Sequence, residues 1–173
     1  MPSLSSIRSR GFTLVEMIVY SAILGVVAVL ATNATLAMTR AFTDLRISRD
    51  LNSSATALFE RITRDVRGAY DVDAAQSTFD TNPGRLMLST KDSAGTSTTI
   101  EFYVTGNRVN IREGGADQGS IMTTSTSVSS FIVRQLSNTN TKAIKVEAII
   151  SATRGGITKT RNFYTTVVLR GTY

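Results

Sequence analysis

The chain contains no cysteine, no histidine and no tryptophan. Without cysteine no disulfide can staple the fold, and the redox compartment cannot be read from thiol usage. Without histidine or cysteine, nucleophilic catalysis of the Ser-His-Asp or Cys-His type is excluded, as are zinc centres of the usual kind. Gly114-Gly115 lacks the Lys-Ser/Thr that would make a phosphate-binding loop. Carboxylate chemistry has little to build on, since Asp71, Asp73 and Asp80 form the one acidic loop cluster. Asp71 and Asp73 are candidate calcium ligands by their oxygens, although loop aspartates are more often solvated surface. No cofactor is expected.

Charge is missing from one long stretch. From Met17 to Thr39 no residue is charged. At about 1.5 Å per residue this run of 23 covers a ~30 Å hydrocarbon core. It is too long for the apolar part of a secretory signal, about 7–15 residues, despite a weak small-x-small pattern at Thr32-Asn33-Ala34. Arg8 and Arg10 precede it, so its N-terminus is expected on the cytoplasmic side. Glu16 stands at its start. A charge within a membrane span costs on the order of 3 kcal/mol and is usually paired and functional. A new amino terminus at Phe12, made by cutting after Gly11, would supply a positive partner.

Beyond Met38 apolar residues fall at Phe42, Leu45, Leu51, Ala55, Leu58, Phe59, Ile62 and Val66, mostly in steps of three and four. Arg46/Asp50, Glu60/Arg64 and Arg61/Asp65 are opposite charges at i,i+4. Gly68 follows a basic last turn and is expected as a C′ cap. One helix is therefore expected from about Thr13 to Arg67, apolar all round and then amphipathic. After a loop from Asp71 to Gly84 the period changes to two. Strands are expected around Leu86–Ser89, Ile100–Val104, Val109–Ile111, Val128–Leu136, Ile144–Ile150 and Phe163–Leu169. Turns are expected at Thr105–Arg108, Ser137–Thr141 and Gly155-Gly156, and a loop at Gly114–Gly119. The class is α+β: a long helix, transmembrane and then amphipathic, against a mainly antiparallel sheet domain.

Arg10-Gly11-Phe12-Thr13-Leu14-Val15-Glu16 resembles the processing site of type IV pilins and type II secretion pseudopilins. The resemblance covers roughly the first third of the chain. It implies that a prepilin peptidase cuts after Gly11 and that the new terminus at Phe12 is methylated. It implies that Glu16 takes part in recruitment and assembly, and that the fold is a pilin-like lollipop. Many pilins carry a C-terminal disulfide loop, which this chain cannot form. Leu58 to Arg67 further resembles the end of the helix in J-type minor pseudopilins and PilW-type minor pilins.

The expected organisation is a cytoplasmic leader (1–11), a transmembrane and assembly helix (12–39), its amphipathic continuation (40–68) and a β-rich pilin domain (69–173). The expected function is non-enzymatic: a minor pilin or minor pseudopilin in a type IV pilus or type II secretion system. Its expected partners are other pilin subunits, the peptidase, the inner-membrane assembly platform and the membrane. It would be a single-pass cytoplasmic membrane protein before assembly and part of a periplasmic or extracellular filament afterwards. The alternatives are a major pilin, a DNA-binding minor pilin for natural transformation and a plain membrane-anchored domain. Net charge is +6, or +4 once Arg8 and Arg10 are removed and 17 basic residues face 13 acidic ones. Residues 131–173 hold seven basic residues against Glu147 alone. Arg154, Lys159 and Arg161, around the Gly155-Gly156 turn, are the candidate contacts to nucleic acid or another anionic surface.

Overall fold

The computed structural model describes residues 11–138 and 141–170. The basic leader residues Arg8 and Arg10, and the centre of the turn after Ser137, lie outside the described residues. The chain divides into two units between Phe42 and Thr43. Helix α1 (Leu14–Gly68) contributes to each.

In the first unit α1 has no protein covering. From Gly11 to Phe42 every residue is exposed except Glu16, which is half-buried. Exposed side chains include Leu14, Leu24 and Leu30. The helix is long and apolar enough to cross a membrane. Its hydroxyls turn inward: Ser21 donates to the Met17 carbonyl, Thr32 to Ala28 and Thr35 to Ala31, at 2.8–2.9 Å. Such i−4 bonds take polar groups off the helix surface.

In the second unit α1 buries Ile47, Leu51, Ser54, Ala55, Leu58, Ile62, Asp65 and Val66. Ile47 is 1% exposed and Leu45 is 67% exposed, which corrects the apolar face expected from the sequence. Ile47 lies four residues before Leu51 and shares its face, whereas Leu45 lies six before and turns away. Asp50 likewise faces Arg154, 3.6 Å away, and accepts from Ser125. The Arg61–Asp65 pair forms at 2.6 Å, and Arg61 also meets Glu113. Gly68 is itself helical, without a left-handed φ. Ala69 N–H still donates to the Asp65 carbonyl at 2.9 Å, so the turn closes without the expected glycine cap.

The first sheet is an antiparallel meander in chain order: β1 (Asp71–Val72), β2 (Leu86–Lys91), β3 (Ser97–Thr105), β4 (Arg108–Glu113) and β5 (Ala116–Ser120). β1 arises inside the segment expected as loop, pairing Asp71 with Ser89 and Val72 with Leu88. β5 also replaces an expected loop. Its five residues are mostly exposed and carry no apolar alternation, so the sequence pattern gives no strand signal. Between β3 and β4, Gly106 and Asn107 have φ of 57° and 58°, as a two-residue primed turn requires.

The second sheet holds β6 (Thr126–Asn138), β7 (Thr141–Arg154) and β8 (Ile157–Val168), antiparallel and in that order. The register of β6 shifts between Val128 and Ser130. This bulge lets Val128, Phe131 and Val133 all reach the core despite their odd spacing. They meet Leu86, Leu88, Phe102, Ile111, Ile144, Val146, Ile150 and the buried face of α1.

The segment before β2 ties onto β6. Asp80 N–H donates to the Val133 carbonyl and Gly84 N–H to the Phe131 carbonyl, at 2.9 and 2.7 Å. Gly84 is required there, because a Cβ would sit 3.0 Å from Phe131 O and Val133 N. Glu101 is buried between two arginines, with Arg85 Nε at 2.5 Å and Arg112 at 2.8 Å.

Candidate functional site

The start of α1 is built from four residues. Thr13 caps it: its Oγ1 accepts from Glu16 N–H at 3.3 Å, and its carbonyl takes the first helical bond, from Met17 N–H at 3.2 Å. Thr13-Leu14-Val15-Glu16 spells a capping box, in which the acid would reach back to the threonine N–H. The Glu16 side chain instead accepts from the Tyr20 hydroxyl, one turn forward, at 2.8 Å. The Tyr20 ring stands edge-on to Phe12, with centroids 6.2 Å apart and planes at 78°. Phe12, Glu16 and Tyr20 thus recur at i, i+4 and i+8, with the Tyr20 hydroxyl on the carboxylate and the Tyr20 ring against Phe12. A negative charge in the first turn also suits the positive end of the helix dipole.

Gly11 and Phe12 precede the first helical residue and are exposed. A Cβ at Gly11 would meet nothing within 4 Å. The Gly11–Phe12 bond therefore lies in open, non-helical backbone, a form that a peptidase can bind.

The three basic candidates near the β7–β8 turn come together but face α1. Arg154 lies 3.6 Å from Asp50, Lys159 lies 3.2 Å from Asp44, and Arg161 donates to Asn52 at 3.3 Å. Two of these cations are thereby matched by carboxylates, which reduces the free positive field at this turn. Asp71 and Asp73 flank Val72 and are each engaged. Asp71 Oδ1 meets Lys142 Nζ at 2.6 Å and Val72 N–H at 2.7 Å. The bond from Lys142 holds the Asp71 carboxyl below its ordinary range. Asp73 accepts from Ala75 and Gln76 N–H at 3.0 and 3.1 Å. Among the described residues no three His, Cys, Asp or Glu side chains gather as a metal-binding group would.

Tyr20 did not stand out in the sequence, where it reads as one more apolar residue of the span. Its signal was a hydroxyl donor four residues after an isolated acid.

Residues 7–32 match the family model described as the prokaryotic N-terminal methylation motif. This motif is typical of type IV pilins and pseudopilins, a structural rather than enzymatic group. The chain thus carries the N-terminal signature of a pilin-like or pseudopilin precursor. It matches no curated protein and no solved structure at a significant level.

Proposed function

We propose that the chain is a minor filament subunit, processed after Gly11 and assembled through residues 12–39 of its helix. One observation carries the reading. Directly behind an open Gly11–Phe12 bond runs a helix whose apolar surface has no protein cover, and Glu16 is the one charge at its start. Such a surface is stable in lipid or among other helices. Residues 1–11 are the leader, 40–68 the amphipathic continuation and 69–173 the exported domain. Before assembly the N-terminus faces the cytoplasm, as Arg8 and Arg10 favour.

Assembly exchanges lipid contacts for helix contacts, so hydrophobicity contributes little net drive. Pairing Glu16 with the Phe12 amino group of a neighbouring subunit then sets axial register, since either group alone is costly to bury. The Glu16→Ala chain is expected to insert in the membrane yet enter filaments poorly. Mass spectrometry on sheared surface filaments from native cells tests the whole reading. A methylated Phe12 terminus at trace abundance supports the minor subunit, and a dominant one makes it the major pilin. An intact leader in the membrane fraction, with no chain in filaments, overturns the proposal.

A further inference from the structure

A lone carboxylate in an apolar helix has a problem before any neighbour arrives: while the subunit is stored in lipid, no intermolecular partner is present. Three observations at the start of α1 bear on this. The Tyr20 hydroxyl donates to Glu16 Oε1 at 2.8 Å. The Tyr20 ring is held edge-on against Phe12. Glu16 is the one residue from Gly11 to Phe42 that is not exposed.

We propose that Tyr20 is the positioning residue for Glu16: it donates a hydrogen bond to the carboxylate in the stored subunit and fixes the rotamer in which that group meets an incoming cation. The second half of this statement rests on the pilin reading above, and the first half does not. The chemistry suits the place. A phenol has an apolar ring that lipid accepts and a single polar tip, so it can supply a donor at low solvation cost. The i,i+4 spacing puts that tip within reach of the carboxylate without bending the helix. Hydrogen bonds to an ionised acceptor are short and strong, and more so in low dielectric. Meeting Oε1 alone leaves the second carboxylate oxygen free of bonds among the described residues, open to an ammonium approaching from another helix.

The test uses the uncleaved full chain, labelled with carboxyl-13C glutamate, in phosphatidylcholine vesicles. In this precursor no Phe12 amino group competes for the carboxylate. The Glu16 band in the infrared spectrum is identified by its loss in Glu16→Gln. Tyr20→Phe keeps the ring and removes the donor, and Tyr20→Gln restores an N–H donor at the same position. The expected result is a Glu16 carboxylate band that moves in Tyr20→Phe and returns toward wild type in Tyr20→Gln. Coincident wild-type and Tyr20→Phe bands would overturn the proposal, as would a Tyr20→Gln band that stays with Tyr20→Phe. In cells, Tyr20→Phe is expected to lower incorporation into filaments about fivefold, the size of one net hydrogen bond. Equal incorporation sinks the positioning role. Failure of the wild-type chain to be cleaved or to enter filaments removes the pilin reading and leaves the infrared result standing.

Discussion

The two stretches of α1 share a backbone geometry and differ in where their polar groups find partners. Up to Phe42 the partners are local: threonine and serine hydroxyls bond one turn back, and Glu16 is met by Tyr20 one turn on. From Thr43 onward local bonds persist, such as Arg61–Asp65 and Ser48 to the Asp44 carbonyl, and distant ones are added. Ser54 bonds Thr123 and Thr126, Arg61 reaches Glu113, and Asp44 faces Lys159. A helix whose polar groups are mostly satisfied locally places few demands on its neighbours, and here the main one is Glu16. A helix satisfied at long range is committed to one neighbour, because moving it would orphan groups on both sides.

The sharpest test of this contrast compares two leucines. Leu58 is fully buried and Leu24 is 70% exposed. In urea unfolding of the full chain in detergent micelles, Leu58→Ala is expected to cost about 3 kcal/mol. Leu24→Ala is expected to cost less than about 0.5 kcal/mol. Equal losses would break the comparison. Two glycines give a smaller contrast. Gly84→Ala forces a Cβ against backbone atoms of Phe131 and Val133 and is expected to cost about 2 kcal/mol in the same assay. Gly25, with nothing within 4 Å of its added Cβ, is expected to tolerate alanine and gain local helicity. A destabilised Gly25→Ala chain would mean that the first stretch has a partner in the micelle.

Acid should also separate the two regions, by a lesser amount. Lys142 lowers the Asp71 carboxyl, and Lys145, with help from Arg134, lowers that of Glu147. A carboxylate depressed in the folded state stabilises above its unfolded value, ~4 for either type. That contribution is lost as pH falls through the lower folded value. The melting temperature of the sheet domain is therefore expected to drop as pH goes from about 5 to 3. Lys142→Met should make this drop shallower, measured by circular dichroism at strand wavelengths. An unchanged slope would mean that the Lys142–Asp71 contact does not persist in solution.

Much of this was legible because burial imposes a period. Leu86, Leu88, Phe102, Ile144, Val146 and Ile150 alternate in sequence and meet in the core. The Gly106-Asn107 turn was legible because few residues accept positive φ. What escaped the sequence lacked such a constraint. β5 is exposed and polar, and β1 is two residues long. Ile47 carries no distinct signal in sequence, because Leu45, two residues earlier and also apolar, continues the three-residue step from Phe42. At the helix start, Gly11, Phe12 and Glu16 were readable as a motif. The conformation of Glu16 was not, because Thr13-x-x-Glu16 predicts a backward bond and Tyr20 offers a forward one. Arg154, Lys159 and Arg161 looked like a free basic cluster because their acceptors, Asp50, Asp44 and Asn52, lie more than a hundred residues earlier.

The inward-bonded hydroxyls of Ser21, Thr32 and Thr35 have a consequence for travel between phases. A segment that carries its own hydrogen bonds can leave one apolar medium for another without exchanging any of them. Apart from Asn33, near the far end of the run, its ledger of polar groups is the same at departure and at arrival. The cost of such a crossing falls mainly on one carboxylate, Glu16; under the proposed assembly, that single residue near the tip would select neighbours while the apolar remainder of the span would not.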